Sequence, residues 1–252
     1  KDIKPSEELT WDEIKEKYPN VKFPEGMQLK YAEAYAQNTN LVGWLKIDKL
    51  KMDFPILQTD NDSYYLKRSF THRYTDLGNP FLAHANSIEP LDRNSIIYGH
   101  STRSSDKIFS KLFDYRTTRG FINNPIIEFN TIYHDYKWKV YAVFITNATT
   151  AEDNGYFFNY VWTNISEASF EQYIAELDSR KLYTTGVDIK PTDKILTLST
   201  CLYEFDNARL VVVARMVRDG ESEEVDTSLV KTNPNPRYPQ AWYDKDKKQN
   251  PY

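Results

Sequence analysis

The sequence predicts a mainly β protein: a closed eight-stranded barrel, with helices ahead of it and one helix inserted before its last two strands. Three observations carry this. Short apolar runs of strand character recur eight times between residues 41 and 218, separated by polar turns. Tyrosine is used 19 times, and aromatic side chains favour a half-buried pleated surface. Within that span a clear helical stripe, 166–177, is inserted among the strands, which suits a closed or nearly closed barrel.

The elements follow in order. Residues 1–25 are charged and broken by Pro5, Pro19 and Pro24; 6–18 reads as one helix, with Thr10 and Glu13 spaced as a capping box. A second helix over 27–37 carries Met27, Tyr31, Ala34 and Tyr35 on one stripe, which must pack on the main domain. Strands are expected over 42–47 and 54–58, then a turn or short helix over 60–66, then strands over 81–83 and 95–99. Residues 107–115 have helical spacing. Two further strands cover 126–129 and 133–146, the second alternating through Trp138, Val140, Ala142 and Phe144. An aromatic loop over 155–160 leads to the helix over 166–177, with Ser166 as its cap and Phe170, Tyr173, Ile174 and Leu177 as its stripe. Strands over 194–199 and 210–217 close the barrel. From 219 to 252 the chain is polar and contains four prolines, so an extended tail is expected, pinned by Trp242 and Tyr243. The expected divisions are therefore 1–40, a helical extension; 41–218, the barrel; and 219–252, the tail.

Composition excludes several functions. A net charge of −4 leaves no basic footprint for nucleic acid. A single cysteine, Cys201, excludes an internal disulfide and a cysteine-based zinc cluster but leaves a reactive thiol. No acidic cluster suggests a metal site, and no cofactor motif is present. No run approaches the ~18 apolar residues of a membrane helix, and no signal peptide is visible. The chain opens on Lys1, so a processed product is expected, with an anchoring segment ahead of it.

The chemistry gathers around 197–201, Thr-Leu-Ser-Thr-Cys. In an extended strand Thr197, Ser199 and Cys201 share one face, and Leu196 and Leu198 the other. With the leucines buried, the thiol faces a groove. On position alone, a buried and inert thiol competes evenly with this reading. The other functional side chains shift the balance. His72, His84 and His134 read as surface residues, whereas His100 ends a buried strand after Tyr98 and Gly99. Arg209 opens the last strand. Thiol catalysis needs a thiolate, a proton donor for the leaving group and a fixed cation for the oxyanion, and these three residues can meet at one barrel rim. A neighbouring cation lowers a thiol pKa from its free value of ~8.5, and arginine acts only through charge and hydrogen bonding.

Together, Thr-Leu-Ser-Thr-Cys ending at Cys201, Arg209 in the next strand, and Tyr-Gly-His ending at His100 resemble the sortases. The runs 42–47 and 54–58 look like the first two strands of that family, and the resemblance covers roughly 41–218. The N-terminal helices and the helix before the cysteine strand are similar to class B sortases. The resemblance implies a cysteine transpeptidase needing no cofactor. Cys201 would attack the Thr carbonyl of a C-terminal sorting motif in a secreted protein, and protonated His100 would donate to the leaving amine. Arg209 would hold the oxyanion or substrate backbone, and an amine of peptidoglycan or a pilin would resolve the thioacyl-enzyme. It also places Ser199, Thr200, Tyr98 and Leu66 at the substrate groove, with Tyr156 and Tyr160 on its loop wall. Many class B enzymes carry an acid just after the cysteine; here Leu202 and Tyr203 come first, and acid appears only at Glu204 and Asp206. The implied location is the outer face of a Gram-positive cell membrane.

Two other readings compete. An L,D-transpeptidase would show Ser-His-Gly and Cys within a short span, and a papain-like peptidase would place its cysteine before its histidine; neither pattern is present. A non-catalytic barrel adhesin or pilus-type subunit would make Cys201 incidental.

Overall fold

The computed structural model describes residues 3–252; residues 1 and 2 of the expected N-terminal extension lie outside the described residues. Ten strands are described: β1 (Leu41–Ile47), β2 (Met52–Leu57), β3 (Phe81–Leu82), β4 (Asn94–Tyr98), β5 (Ile126–Thr131), β6 (Lys137–Asn147), β7 (Tyr183–Thr184), β8 (Ile195–Cys201), β9 (Ala208–Met216) and β10 (Lys231–Thr232). Eight of them close a barrel in the order β1-β2-β3-β4-β8-β9-β6-β5, and β7 pairs with β10 outside it. The predicted closed eight-stranded barrel is therefore the observed one. Its interior is filled by side chains such as Leu45, Ile97, Phe129, Trp138, Leu198 and Val212.

Among the described residues, five α-helices accompany the barrel: α1 (Trp11–Lys17), α2 (Ala32–Gln37), α3 (Thr118–Asn123), α4 (Glu167–Arg180) and α5 (Gln240–Asp244). Thr10 caps α1 with the expected box, its hydroxyl accepting from Glu13 N–H at 3.4 Å and its own N–H donating to the Glu13 carboxylate at 2.7 Å. The helix starts at this cap rather than at Ser6, whose N–H is spent on the Lys30 carbonyl. The stripe expected over 27–37 is buried at Met27, Tyr31 and Ala34, but it is not one helix. Gln28 N–H donates to the Ile132 carbonyl, so a 3₁₀ turn (Leu29–Tyr31) precedes a short α2. Tyr31 stacks on Trp44 of β1 and so docks this extension on the barrel wall.

Helix α4 covers the outer face of β6, β8 and β9. Ser166 caps it as expected, accepting from Ser169 N–H at 3.2 Å. Phe170, Tyr173 and Leu177 pack with Phe144, Phe158, Tyr160 and Val213 into a second core outside the barrel. Three such side chains stabilise this face by roughly 1.5–3 kcal/mol each on burial. Thr197 lies under this cover, with its hydroxyl bonded to Asn94 Oδ1, so the open groove begins only beyond it along β8.

The structure also departs from the sequence reading further along the chain. The strand predicted over 133–146 begins at Lys137, because Thr131 Oγ1 accepts from Tyr133 and His134 N–H and closes a turn there. Helix α3 is not among the expected elements; its six residues are too few for a visible period, but Thr117 caps it at Gly120 N–H. The tail is folded rather than extended. Its Asn233 and Arg237 N–H groups donate to the carbonyls of Leu182 and Ser179, and Trp242 stacks on Tyr238 at 4.2 Å. Tyr243 is buried beside them, so the two expected pins do engage the body.

Candidate active site

Strand pairing decides which side chains can meet. Strands β4 and β8 are parallel neighbours with Tyr98 opposite Ser199 in register. Both strands therefore run toward the same end of the barrel, where β4 passes into Gly99 and His100 and β8 finishes at Thr200 and Cys201. Strands β8 and β9 are antiparallel with Cys201 directly opposite Arg209. Directly opposed residues of such a pair project to one face, with Cβ atoms about 4.5–5.5 Å apart. The three expected catalytic residues thus converge, and all three line one cleft of about 230 Å³. Asp62, Leu66, Phe81, Tyr98, Ser199 and Thr200 complete most of its wall.

The loops that carry the pair are tied to each other at several points. Thr200 Oγ1 donates to the Gly99 carbonyl at 2.7 Å, and Ser101 Oγ donates to the Cys201 carbonyl at 2.5 Å. Tyr203 Oη donates to the Ser101 carbonyl, and Arg103 donates to the Tyr203 carbonyl at 2.9 Å. The residues flanking His100 are therefore bonded to those flanking Cys201. Gly99 is required by packing: a Cβ there would lie 2.6 Å from the Phe109 ring.

Cys201 is a half-exposed free thiol. The half-buried His100 ring bonds through Nε2 to the Leu66 carbonyl at 2.7 Å. A carbonyl only accepts, so Nε2 carries the proton in the neutral tautomer and Nδ1 is the exchangeable nitrogen. Burial pushes the imidazole below its usual value; the Leu66 bond opposes this and the nearby Lys67 charge adds to it. Arg209 donates from Nη1 to the Ala208 carbonyl at 3.0 Å, and no carboxylate among the described residues pairs with it. The guanidinium therefore keeps donors for a bound anion.

Among the expected groove residues, Tyr98 is half-buried against Phe81, with ring centroids 5.5 Å apart, and burial pushes its phenol well above its usual value. Ser199 is buried, and its hydroxyl shares a 3.1 Å hydrogen bond with that of Tyr160. Tyr160 is itself buried and stands behind Ser199. Tyr156 does not line this cleft. It lines a separate cavity between the aromatic loop and α4, where its ring is flanked by Arg180 and Arg237. Leu66 faces the cleft and also holds His100 through its backbone, a role no side-chain pattern signals. Sequence reasoning missed Phe81 in the wall and Ser101 and Tyr203 in the loop ties.

Among the described residues, the acid that lines the cleft with Cys201 is Asp62. Leu202 is buried in the barrel core, and Glu204 pairs with Arg116 and Lys245. The Asp62 carboxylate accepts from His84 through both its backbone N–H and Nδ1, at 2.7 and 3.0 Å. Among the described residues, no group of His, Cys, Asp and Glu is arranged to hold a metal ion.

A lone thiol beside an imidazole and an unpaired guanidinium, at the rim of a closed barrel, is the equipment of a cysteine acyl-transfer enzyme. Comparison with known proteins agrees. The sortase domain model matches residues 45–217, and the chain belongs to the sortase family, whose members are cysteine transpeptidases. Within the family it is class B-like. It is 30% identical to sortase B of Listeria monocytogenes over 183 residues, 71% of each chain. A Staphylococcus aureus sortase B–substrate complex is similar at 25% identity and a TM-score of 0.68, covering 81% of this chain and 90% of that one. A sortase B complexed with triglycine is similar at 28% identity and a TM-score of 0.66, covering 75% and 86%.

Proposed function

We propose that Cys201, His100 and Arg209 perform the transpeptidation on a sorting motif of a secreted protein. Cys201 Sγ attacks the motif's scissile carbonyl carbon, forming a C–S bond as the C–N bond breaks. His100, protonated at Nδ1, gives that proton to the departing amine, and Arg209 balances the charge on the carbonyl oxygen. An acceptor amine then attacks the thioester, returns a proton to the imidazole and releases the thiolate. One amide replaces another, so no oxidant, metal or cofactor is consumed. The acceptor we infer is an amine of peptidoglycan or a pilin; the solved complex of a relative with triglycine supports a glycine-type amine. Tyr98, Leu66, Ser199 and Thr200 hold the motif, with Tyr160 supporting Ser199 from behind, while Tyr156 stands too far along the loop wall to touch the reacting carbonyl. The reaction runs on residues 41–218, with 1–40 and 219–252 as accessory segments, at the outer face of a Gram-positive cell membrane. No helix among the described residues is long and apolar enough to cross a membrane.

The observation that carries this reading is the cross-strand pairing of Cys201 with Arg209 in a cleft that His100 also lines. Incubation with a panel of sorting-motif peptides, followed by mass spectrometry, is expected to find the acyl fragment on Cys201. An unmodified thiol with every peptide, under conditions where the protein is folded, overturns it.

The depressed His100 value has a testable sign. The folded state favours the neutral ring, so the unfolded chain binds the extra proton first. Stability is therefore full above the unfolded value of about 6.5 and falls as pH drops through the folded value. An NMR titration of the His100 ring is expected to show a midpoint below 6.5. A midpoint at or above that value removes the burial argument.

A further inference from the structure

The family match ends at residue 217, yet residues beyond it return to the turn that joins Cys201 to Arg209. That turn, 202–207, fixes the spacing of nucleophile and guanidinium. It closes with Ala208 N–H donating to the Phe205 carbonyl and places Asn207 in the left-handed region at a φ of 56°. Two contacts lead from it to the tail. Glu204 accepts from Lys245 Nζ at 3.0 Å on one oxygen and from Arg116 at 2.7 Å on the other. Lys245 is held in turn by the Trp242 ring, whose centroid lies 3.9 Å from Nζ. The Asn207 side chain donates to Glu152 at 2.7 Å, and the neighbouring Asp153 carboxylate accepts from Gln240 N–H, the first residue of α5, at 2.9 Å. Burial alone would raise the Glu204 carboxyl; Lys245 and Arg116 outweigh it and hold it below its usual range.

We propose that residues 238–245 are a positioning element of this sortase, which brace the 202–207 turn through Lys245 and α5 and thereby hold Cys201 and Arg209 in register. The proposal rests on the roles given above to those two residues. A general fold-stabilising role for the tail predicts losses in melting temperature alone. A brace predicts losses in turnover from a fully folded enzyme.

The test uses the full chain with Lys245→Met, Lys245→Arg and Trp242→Ala, each assayed for kcat and KM on an acylating sorting-motif peptide, for the iodoacetamide alkylation rate of Cys201, and for melting temperature. Lys245→Met is expected to lower kcat roughly two- to fivefold, the reach of a partly exposed ion pair, with KM and melting temperature near wild type. Lys245→Arg restores kcat, and added salt lowers wild-type turnover toward the Met variant as the pair is screened. Trp242→Ala, which removes the ring under Lys245, lowers kcat at least as far. Wild-type kcat in Lys245→Met overturns the brace, as does a kcat loss accompanied by a matching loss of folded protein. Should Trp242→Ala fail to fold, Lys245→Met alone decides. Cys201→Ala run in parallel separates the outcomes: residual turnover there refutes the nucleophile, whereas an inactive Cys201→Ala beside a normal Lys245→Met refutes only the brace.

Discussion

Cys201→Ala is expected to reduce peptide cleavage to background, by at least about 10³-fold, while the protein melts as wild type. The loss is this large because the chain has no second thiol, and the carboxylate that lines the cleft among the described residues, Asp62, is engaged by His84. The fold survives because the thiol is half-exposed, and removing one sulfur costs less than ~1 kcal/mol of burial. Its backbone carbonyl, which receives Ser101, is untouched by the change. Chromatographic cleavage assays and a thermal melt check both halves. Measurable turnover in the alanine variant, freed of wild-type contamination, would transfer the chemistry to another residue.

Arg209→Lys is expected to lower kcat by about 10²–10³, the usual cost of losing one preorganised oxyanion donor. The charge is conserved, so a purely electrostatic role predicts little change. The geometry argues otherwise. One guanidinium nitrogen is anchored on the Ala208 carbonyl, which leaves the remaining donors aimed by a planar fork. An ammonium on a flexible stem has no such anchor-and-donor division. The melting temperature and KM are expected to stay near wild type, because no carboxylate among the described residues depends on Arg209. Steady-state kinetics decides: a kcat within threefold of wild type would leave Arg209 as a wall residue.

Much of this architecture is legible because strands report their own direction. Alternation in 195–201 puts the leucines inward and Cys201 on the opposite face, and Leu196 and Leu198 do lie in the barrel core. The stripe of α4 is equally plain, since fourteen residues show several turns of period. Short elements carry no such record. Helix α3 and the turn at Thr131–His134 are set by single side-chain caps to backbone N–H groups. The acceptor for His100 is a backbone carbonyl, delivered by the 3₁₀ turn at Tyr64–Leu66, and no residue type announces it. The fold of the tail is hidden because prolines and charges dominate its composition, while the contacts that shape it come from Tyr238, Trp242 and main-chain donors. The groove along β8 is shorter than its alternation suggests for a similar reason: alternation gives a face, and only the tertiary cover supplied by α4 shows how much of that face is open.

The parallel pairing of β4 with β8 has a kinetic consequence. It joins residues a hundred positions apart, as the Ser101–Cys201 bond shows. Contacts of such long range must first repay the entropy of closing the intervening loop, and chains rich in them fold slowly. The cleft that Cys201 and His100 line therefore depends on this long-range pairing, whereas β1–β2 and β8–β9 are joined by short turns. A chain in which that pairing has not formed carries Cys201 and His100 apart, about a hundred positions away from each other in sequence.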